Sequence, residues 1–295
     1  MASRRCAFDG FAVNGWPAPA KLNLYLRVVG QRADGYHLLS TAFQFLDFAD
    51  TLFFTPRADG AIRLAKLTPG VPPDEDLVVR AARALNAAAG TRFGVEARVE
   101  KCIPQGGGLG GGSSDAATTL VALNRLWGLD LPRERLADIA LELGADVPVF
   151  VVGRAAHALG VGERLTPGDF PEPWYVLIHP GAAVSTGEIF AAPELTRTSP
   201  PATISDSPLE GARNDCEPVV RTRYPEVARA LDWLRARGPG LLTGTGSCSF
   251  TWRETRADAG ALAADVPTPW RAIVSRGVNR SPLLARLNEE VPAGC

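Results

Sequence analysis

The strictest alternation of apolar and polar residues lies near the N-terminus, over residues 20–29. In the stretch AKLNLYLRVV, leucine or valine occupies every second position, with Lys21, Asn23, Tyr25 and Arg27 between them. A period of two residues predicts a β-strand with one buried face and one polar face. Lys21 and Asn23 would then lie side by side on the polar face, about 6.6 Å apart.

Apolar residues that recur every three or four positions predict four helices elsewhere in the chain. They cover residues 76–89, 115–127, 133–143 and 224–237. A glycine that could end the helix follows each of the first three. Short strands are predicted at 95–100 and 248–252, and the proline- and serine-rich stretch 193–208 is predicted to be a long surface loop. Strands and helices that mix without βαβ repetition favour the α+β class.

The most informative segment is a glycine-rich loop between a predicted strand and a predicted helix. Residues 104–117 read PQGGGLGGGSSDAA, with six glycines among the seven positions 106–112. Glycine accepts positive φ and carries no side chain, so successive backbone N–H groups can point into one concavity. The following helix adds unpaired N–H groups and the positive end of its dipole. The segment therefore predicts a site for a diphosphate or triphosphate.

Three other interpretations of this loop are weaker. The pattern G-x-x-x-x-G-K-[ST] is absent, because no lysine follows the loop and Lys101 precedes it. G-x-G-x-x-G matches at Gly106, Gly108 and Gly111, but no βαβ unit with an acidic residue on a following strand accompanies it. A flexible glycine linker with a serine N-cap would not normally be held between so clear a strand and helix.

Composition narrows the class of protein. The chain has 295 residues, of which 46% are hydrophobic, and a formal net charge of −1. Because single cores stop growing at about 250–300 residues, two packed domains are expected. The near-neutral charge and the lack of a basic run argue against nucleic acid as a partner. The first twenty residues hold no apolar signal-peptide core and no apolar stretch is long enough to span a membrane, so the protein is expected to be neither secreted nor membrane-bound.

Cysteine and lysine usage adds two expectations. The five cysteines are widely spaced and never form a C-x-x-C pair, which indicates neither a disulfide framework nor a zinc site. We therefore predict that the cysteines are reduced thiols and that the protein is cytoplasmic. Only three of the 31 basic residues are lysines, Lys21, Lys66 and Lys101. An ammonium is a compact charge and a guanidinium a planar fork, so a lysine in such a chain can mark a need for a compact charge, with compositional drift as the alternative.

Three segments resemble the three motifs of the GHMP kinases. They are PAKLNL at 19–24, GGGLGGGSSDAA at 106–117 and LTGTGS at 242–247. Four more segments are similar to one branch of that superfamily, which phosphorylates a cytidine diphosphate derivative of methylerythritol in non-mevalonate isoprenoid synthesis. They are GQRADGYHLLSTAFQFLDFAD at 30–50, GADVPVF at 144–150, RNDCEPVV at 213–220 and RGVNRSPL at 276–283.

The resemblance covers about residues 17–287 and implies a two-domain α+β fold with the active site in the cleft between the domains. Residues 1–157 would form the N-terminal ATP-binding domain, with the leader 1–16 outside the resemblance, and residues 158–295 the C-terminal substrate domain. The implied reaction moves the γ-phosphate of ATP to the 2-hydroxyl of the methylerythritol unit of a small-molecule substrate. Mg²⁺ would accompany ATP and would be held mostly by the ATP phosphates and water. Ser114 is the one candidate protein ligand, because no cluster of acidic residues identifies another. The sequence leaves the oligomeric state open.

Two residues receive catalytic roles from the resemblance. Asp146 alone would be interpreted as a helix N-cap, because Val147 and Pro148 follow it. The resemblance instead implies that Asp146 accepts the proton of the attacking hydroxyl. It also implies that Lys21, otherwise a solvated charge, lies beside Asp146 and favours both the ionised carboxylate and the developing negative charge.

The binding residues implied by the resemblance fall into two groups. ATP would be bound by Pro104, Gln105, Gly106, Gly107, Gly108, Leu109, Gly110, Gly111, Gly112, Ser113 and Ser114. The substrate would be bound by Asn23, Tyr36, His37, Thr186 and Phe190. Tyr36 and Phe190 would stack on the two faces of cytosine while His37 reads its polar edge. Ser185 and Glu188 form a capping box and are expected to be structural, and 243–247 is expected to border the phosphate cleft.

Two rival functions follow from the same residues. Another GHMP kinase would act on mevalonate, homoserine or a sugar, but such substrates have no base for Tyr36, His37 and Phe190 to hold. A non-catalytic nucleotide-binding regulator would keep the glycine-rich loop without turnover. The presence of both Lys21 and Asp146 argues against that second rival.

Overall fold

Two long strands at the N-terminus form the centre of the fold. β1 (Trp16–Gln31) and β2 (His37–Arg57) pair antiparallel over most of their lengths. The computed structural model describes residues 15–68, 70–205 and 207–288. The other strands within these ranges are β3 (Ile62–Leu64), β4 (Gly94–Glu100), β5 (Ala156–Gly160), β6 (Arg164–Pro167), β7 (Trp174–His179), β8 (Leu241–Leu242), β9 (Ser249–Arg253) and β10 (Arg271–Val278).

These strands form one branched, mostly antiparallel sheet. Its main path runs β3-β4-β2-β10-β7-β9-β8, while β1 and β5 pair with β2, and β6 pairs with β5. β10 pairs with β2 at Gly277 and Val278 and with β7 over residues 271–276, so it joins the two halves of the chain. The predicted domain division at residues 157/158 falls inside β5 and stays a prediction.

Helices within the described ranges cover this sheet. They are α1 (Leu77–Ala89), α2 (Gly111–Leu126), α3 (Arg133–Leu143), α4 (Val147–Val152), α5 (Thr186–Ala191), α6 (Glu217–Arg223), α7 (Pro225–Arg235), α8 (Arg256–Ala264) and α9 (Pro282–Asn288). The four helices predicted from apolar spacing are present as α1, α2, α3 and α7. α1 begins after Asp76, whose side chain accepts from the N–H of Val78, and ends at Gly90 with φ 65°.

Helix α2 begins at Gly111, four residues before the predicted start at Asp115. Gly110 adopts φ 72°, and its carbonyl accepts the N–H of Ser114 at 2.8 Å. Ser113 and Ser114 therefore lie within the first turn of the helix and are not N-caps. The apolar pattern missed this turn because it consists of glycine and serine, which carry no helical periodicity.

β1 is buried on both faces, whereas its alternation predicted one solvated face. Lys21, Asn23 and Tyr25 are only 2%, 3% and 5% exposed. Segments from the C-terminal half cover the polar face: the N–H of Asn23 donates to the Thr243 hydroxyl, and the N–H of Leu26 donates to a backbone carbonyl of residue 213. Distant segments thus turn a half-polar strand into a central one, which local periodicity cannot reveal.

The helices α1 to α4 share one core with β1 and β2. Phe45, Leu52, Leu85, Leu120 and Phe150 are fully buried in it. This core holds the N-terminal ends of α2 and α4 in place. Those two ends carry the glycine-rich loop and Asp146.

The described part of stretch 193–208 contains no helix or strand, as predicted, but it is not wholly a surface loop. Leu195 and Ser199 are buried, and the N–H of Ser199 donates to the Val28 carbonyl at 3.0 Å. The stretch therefore lies along the end of β1, where apolar contacts hold it despite its polar composition.

Cysteine and membrane expectations have different outcomes. Cys216 and Cys248 are buried free thiols, but Cys102 is disulfide-bonded, so the prediction that all cysteines are reduced is wrong for Cys102. The cytosolic location, inferred partly from reduced thiols, stays a prediction. None of the helices in the described ranges combines the length and hydropathy needed to span a bilayer.

Candidate active site

A cleft of about 930 Å³ lies where β1, the glycine-rich loop and the N-terminal ends of α4 and α5 meet. Nearly all the predicted site residues line it: Lys21, Asn23, Tyr36, His37, residues 104–113, Asp146, Thr186 and Phe190. Gly244 and Thr245 also line it, which agrees with the expectation for segment 243–247. Ser114 does not line it, since this residue is fully buried and its hydroxyl has no hydrogen-bond partner within the described structure.

A lysine–aspartate pair occupies the middle of the cleft. Lys21 Nζ lies 3.2 Å from Asp146 Oδ2, and the side chains are 3% and 34% exposed. Lys21 also donates to Asn23 Oδ1 and lies 5.4 Å from the centre of the Phe43 ring. The buried ammonium thus faces a carboxylate that is open to the cleft. Such a carboxylate can accept a proton while the fixed positive charge stabilises nearby negative charge.

The surroundings of Lys21 leave little room for a larger side chain. The backbone N–H of Lys21 donates to the Leu109 carbonyl at 3.0 Å, and this hydrogen bond attaches the glycine-rich loop to β1. A Cβ on Gly110 would come within 2.8 Å of the Phe150 ring and 3.1 Å of Lys21 Cε. Gly110 also needs φ 72°, so two independent constraints require glycine there.

Asp146 stands at the N-cap position of α4, but its side chain makes no capping hydrogen bond. The capping interpretation of Asp146 is therefore wrong, and the carboxylate is directed to Lys21 instead. Pro148 in the first turn lacks an N–H, which reduces the need for a cap. The chain thus presents Asp146 to the cleft without losing the start of the helix.

Asn23 connects three parts of the site. Its side-chain oxygen accepts from Lys21, its side-chain nitrogen donates to Thr41 Oγ1 at 2.9 Å, and its backbone N–H donates to Thr243 Oγ1 at 2.9 Å. The side chain is 3% exposed yet borders the cleft. Asn23 therefore holds the Lys21 ammonium in position in addition to its predicted role toward substrate.

The glycine-rich loop curves around one end of the cleft. Gly106, Gly108 and Gly110 adopt φ of 66°, 72° and 72°, alternating with Gly107 and Leu109, whose φ is not positive. A Cβ on Gly108 would lie 2.3 Å from the Thr243 carbonyl, so the loop can approach the segment LTGTGS only without a side chain. Alternating backbone conformations of this kind turn N–H groups into a concavity, and α2 continues it with its own unpaired N–H groups.

A second lysine borders the same end of the cleft and was not predicted as a site residue. Lys101 Nζ lies 2.5 Å from Asp50 Oδ2 and 2.7 Å from Asp115 Oδ2. Asp50 Oδ1 accepts the backbone N–H groups of Cys102 and Ile103, at the entrance to the loop. Burial and the neighbouring Asp50 raise the pKa of the Asp115 carboxyl, while Lys101 opposes this shift. The scarcity of lysine was the only sequence signal that could have singled out Lys101.

Aromatic residues occupy the other end of the cleft. The rings of His37 and Phe190 stack with centroids 5.1 Å apart at an angle of 28°, and Tyr36 is 61% exposed. Thr186 begins α5, and its hydroxyl lies 3.0 Å from that of Thr245. Ser185 caps α5 by accepting the N–H of Glu188, which is one of the two bonds of the predicted capping box, while the Glu188 carboxylate accepts from the Tyr224 hydroxyl.

Arg197 completes this end and was also missed by the sequence analysis. Its Nε donates to His37 Nε2 at 3.0 Å, and its terminal nitrogens donate to the backbone carbonyls of Phe190, Ala192 and Leu195. Burial and Arg197 together lower the pKa of His37. No local pattern pairs residues 37 and 197, because the contact forms only when the stretch 193–208 folds along β1.

Comparison with known proteins identifies the family. The model for the GHMP kinases N terminal domain matches residues 76–154, and the model for GHMP kinases C terminal matches residues 203–272. The 4-diphosphocytidyl-2-C-methyl-D-erythritol kinases of Chromohalobacter salexigens and Nitrosococcus oceani are 56% and 55% identical to this chain. These matches cover 90% and 95% of this chain and 92% and 99% of the relatives. The chain belongs to the 4-diphosphocytidyl-2-C-methyl-D-erythritol kinase family of GHMP kinases.

Solved structures agree with this assignment to the GHMP kinases. A crystal structure of 4-(cytidine 5'-diphospho)-2C-methyl-D-erythritol kinase superposes with a TM-score of 0.77 at 36% identity, covering 89% of this chain and 98% of that one. Homoserine kinase from Cytophaga hutchinsonii superposes with a TM-score of 0.65 at 16% identity, over 94% of this chain and 98% of that one. The second match shows the shared fold alone. The predicted α+β GHMP kinase fold is confirmed, and ATP is the co-substrate that this kinase family implies.

Proposed function

We propose that this chain transfers the γ-phosphate of ATP to the 2-hydroxyl of 4-diphosphocytidyl-2-C-methyl-D-erythritol, a step in non-mevalonate isoprenoid synthesis. The observation that carries the proposal is the pair of Lys21 Nζ and Asp146 Oδ2, 3.2 Å apart, with the carboxylate open to the cleft. The glycine-rich loop and the aromatic residues Tyr36, His37 and Phe190 line that same cleft. This combination suits a substrate that carries both a base and a phosphate acceptor.

In the proposed reaction Asp146 accepts the proton of the attacking 2-hydroxyl. A bond forms between that oxygen and the γ-phosphorus as the bond from the γ-phosphorus to the β,γ-bridging oxygen breaks, which releases ADP. Phosphoryl transfer depends more on positioning and charge than on an early strong base, so an aspartate is adequate. Lys21 stabilises the carboxylate and the negative charge near the acceptor oxygen.

The residues of the glycine-rich loop are proposed to bind the triphosphate through backbone N–H groups. Gly106, Gly108 and Gly110 supply the positive-φ positions that such a concavity needs. Ser113, in the first turn of α2, lines the cleft and offers a hydroxyl. Lys101 borders the same end and adds a positive charge, which its carboxylate partners hold in place.

Mg²⁺ is proposed to arrive with ATP. Within the described residues no group of three or more His, Cys, Asp or Glu side chains could hold a metal ion. A small hard cation that keeps several waters and binds phosphate oxygens needs no such group. Ser114, the protein ligand that the sequence analysis allowed for, is fully buried and does not line the cleft, so no protein ligand is assigned to the metal. When bound, Mg²⁺ would neutralise charge on the phosphates.

The substrate base is proposed to bind between aromatic side chains at the far end. Tyr36 is exposed enough to stack on a base, and the Phe190 ring already lies in a stack with His37. Asn23 and Thr186 line the same cleft and offer polar groups to the substrate. Mevalonate, homoserine and galactose have no base, so they would leave the aromatic end without a function.

ADP release by the purified protein with Mg-ATP tests this proposal. We expect turnover with 4-diphosphocytidyl-2-C-methyl-D-erythritol and none with mevalonate, homoserine or galactose. The Asp146→Asn variant should bind both substrates but lose turnover. ATP binding without turnover on any acceptor would contradict the proposed function and favour the regulator.

A further inference from the structure

The guanidinium of Arg197 makes four hydrogen bonds beside the aromatic residues of the cleft. Its Nε donates to His37 Nε2 at 3.0 Å, while Nη2 donates to the carbonyls of Phe190 and Ala192 at 3.0 and 2.8 Å. Nη1 donates to the Leu195 carbonyl at 3.0 Å. Three backbone carbonyls thus fix the guanidinium plane, and with it the direction in which Nε points.

This contact determines which nitrogen of His37 carries the proton. A guanidinium has five N–H donors and no acceptor, and it stays protonated in proteins. Nε2 of His37 must therefore accept, which leaves the proton of the neutral ring on Nδ1. Burial and the charge of Arg197 lower the pKa of His37, which favours the neutral ring.

The other ring nitrogen is left for a ligand. His37 lines the cleft, and its Nδ1 has no hydrogen-bond partner among the residues that the structure describes. The stack against Phe190, 5.1 Å between centroids, fixes the plane of the imidazole. His37 therefore presents a single N–H donor in a fixed orientation at the edge of the proposed base site.

We propose that Arg197 is a positioning residue that sets base specificity, because it holds His37 as the Nδ1–H tautomer and so selects cytosine over uracil. Cytosine N3 is an acceptor and pairs with an N–H donor, whereas uracil N3 carries a hydrogen and meets it donor to donor. Two facing donors in a desolvated site stay unpaired, which is the strong form of discrimination. The inference rests on the proposed function, since it requires a pyrimidine base at this end.

Nuclear magnetic resonance of ¹⁵N-labelled full-length protein tests the tautomer without substrate. The chain has three histidines, so the signals can be assigned with one His→Gln variant each. We expect His37 to show protonated Nδ1 and unprotonated Nε2 in the wild type and in Arg213→Met. Arg213 donates to Ser199 in the same stretch but not to His37, which makes it the matched control. Arg197→Met should give a mixture of tautomers, and an Nε2–H tautomer in the wild type would overturn the inference.

Kinetics with the cytidine diphosphate substrate and its uridine diphosphate analogue tests the specificity. We expect Arg197→Met to reduce the ratio of the two kcat/KM values roughly tenfold or more, mainly through KM, while Arg213→Met keeps the ratio. A merely structural role of Arg197 would lower both values equally and leave the ratio unchanged, which would overturn the inference. Wild-type protein that turns over neither substrate would instead overturn the proposed function.

Two variants of His37 keep the test decisive if Arg197→Met does not fold. His37→Gln can accept from Arg197 and still offer an amide N–H to the base, so it should keep a preference for the cytidine substrate. His37→Glu offers only acceptors and should shift the preference toward the uridine analogue. Equal selectivity in these two variants would overturn the inference.

Discussion

Lys21 and Lys101 both line the cleft and both pair with aspartate, yet the burial of the partners is reversed. Lys21 is 3% exposed, while its partner Asp146 is 34% exposed and faces the cleft. Lys101 is 31% exposed, while its partners Asp50 and Asp115 are 0% and 8% exposed. Both groups join a lysine ammonium to aspartate. In the Lys21 group the aspartate is accessible, whereas in the Lys101 group the ammonium is accessible.

The member that faces the cleft determines what each pair can do. An accessible carboxylate beside a buried cation can exchange a proton with a substrate hydroxyl, which suits the Asp146 pair to catalysis. An accessible ammonium on buried carboxylates cannot act as a base, but it presents a fixed positive charge to phosphates. Asp50 also binds two backbone N–H groups at the entrance to the glycine-rich loop, so the second pair positions that loop.

The largest expected effect comes from Asp146→Asn, which removes the accessible carboxylate. We expect kcat to fall by roughly 10²–10⁴-fold, because a positioned general base contributes about that much. The KM for ATP should change little, whereas the melting temperature should fall, because the buried Lys21 ammonium loses its carboxylate partner. Steady-state ADP release measures this, with Asp138→Asn, an exposed aspartate on α3, as the control. Wild-type kcat in Asp146→Asn would remove the functional difference between the two pairs.

The Lys21→Arg variant tests whether catalysis needs a compact ammonium at this buried position. Phe43, Phe150 and Gly110 surround Lys21, so a planar guanidinium cannot occupy the same place. We expect kcat to fall roughly 10–100-fold. Lys66→Arg, at an exposed position, should have no effect. Turnover at the wild-type rate in Lys21→Arg would show that charge alone matters and that the scarcity of lysine is compositional drift.

Asp50→Asn tests the structural role of the second pair. The carboxylate is fully buried and has three donors, Lys101 and two backbone N–H groups. Its loss should lower the free energy of unfolding by roughly 1.5–3 kcal/mol, because asparagine cannot replace all the charge-assisted hydrogen bonds of the buried carboxylate, although Lys101 keeps Asp115 as a partner. The KM for ATP should rise while kcat changes less. Urea unfolding measures this, with the exposed Asp74→Asn as the control, and an unchanged KM would separate Asp50 from nucleotide binding.

Asp115→Asn should have the smallest effect, visible as a change in pH dependence. Burial and Asp50 raise the pKa of Asp115 in the folded protein above the ordinary value of the unfolded chain. Above that ordinary value the folded state holds a proton that the unfolded state has released, so wild-type stability falls as pH rises. Asparagine does not titrate, and the variant should gain stability relative to wild type between pH 5 and pH 8. Parallel unfolding curves at the two pH values would contradict the raised pKa.

Much of the fold followed from local patterns. The alternation at 20–29, the helical spacing at 76–89 and 133–143, and the glycine-rich loop each predicted the element that forms there. These succeed because strand and helix periodicity reflect which side of an element faces a core, whatever that core contains. The predicted start of α2 was four residues late, because the glycines and serines of its first turn carry no apolar periodicity.

The composition of the cleft depended on the resemblance of three motifs to the GHMP kinases. Lys21 and the loop residues lie in those motifs, Asp146 lies in the further similar segment 144–150, and the structure brings them to one cleft. Ser114, although part of the loop motif, turns away into the core. A motif specifies which residues occur together, but the helical rotation between Ser113 and Ser114 decides which of them reaches the cleft.

The sequence by itself determined β1, β4 and β9, the helices α1, α2, α3 and α7, and the glycine-rich loop between a strand and a helix, because each depends on neighbours within a few positions. Only the tertiary structure decided the burial of β1 on both faces, the reversed exposure of the two lysine pairs and the contact of Arg197 with His37. Each of these joins residues that are tens to hundreds of positions apart. Periodicity records that a side chain is buried, but not which distant group covers it.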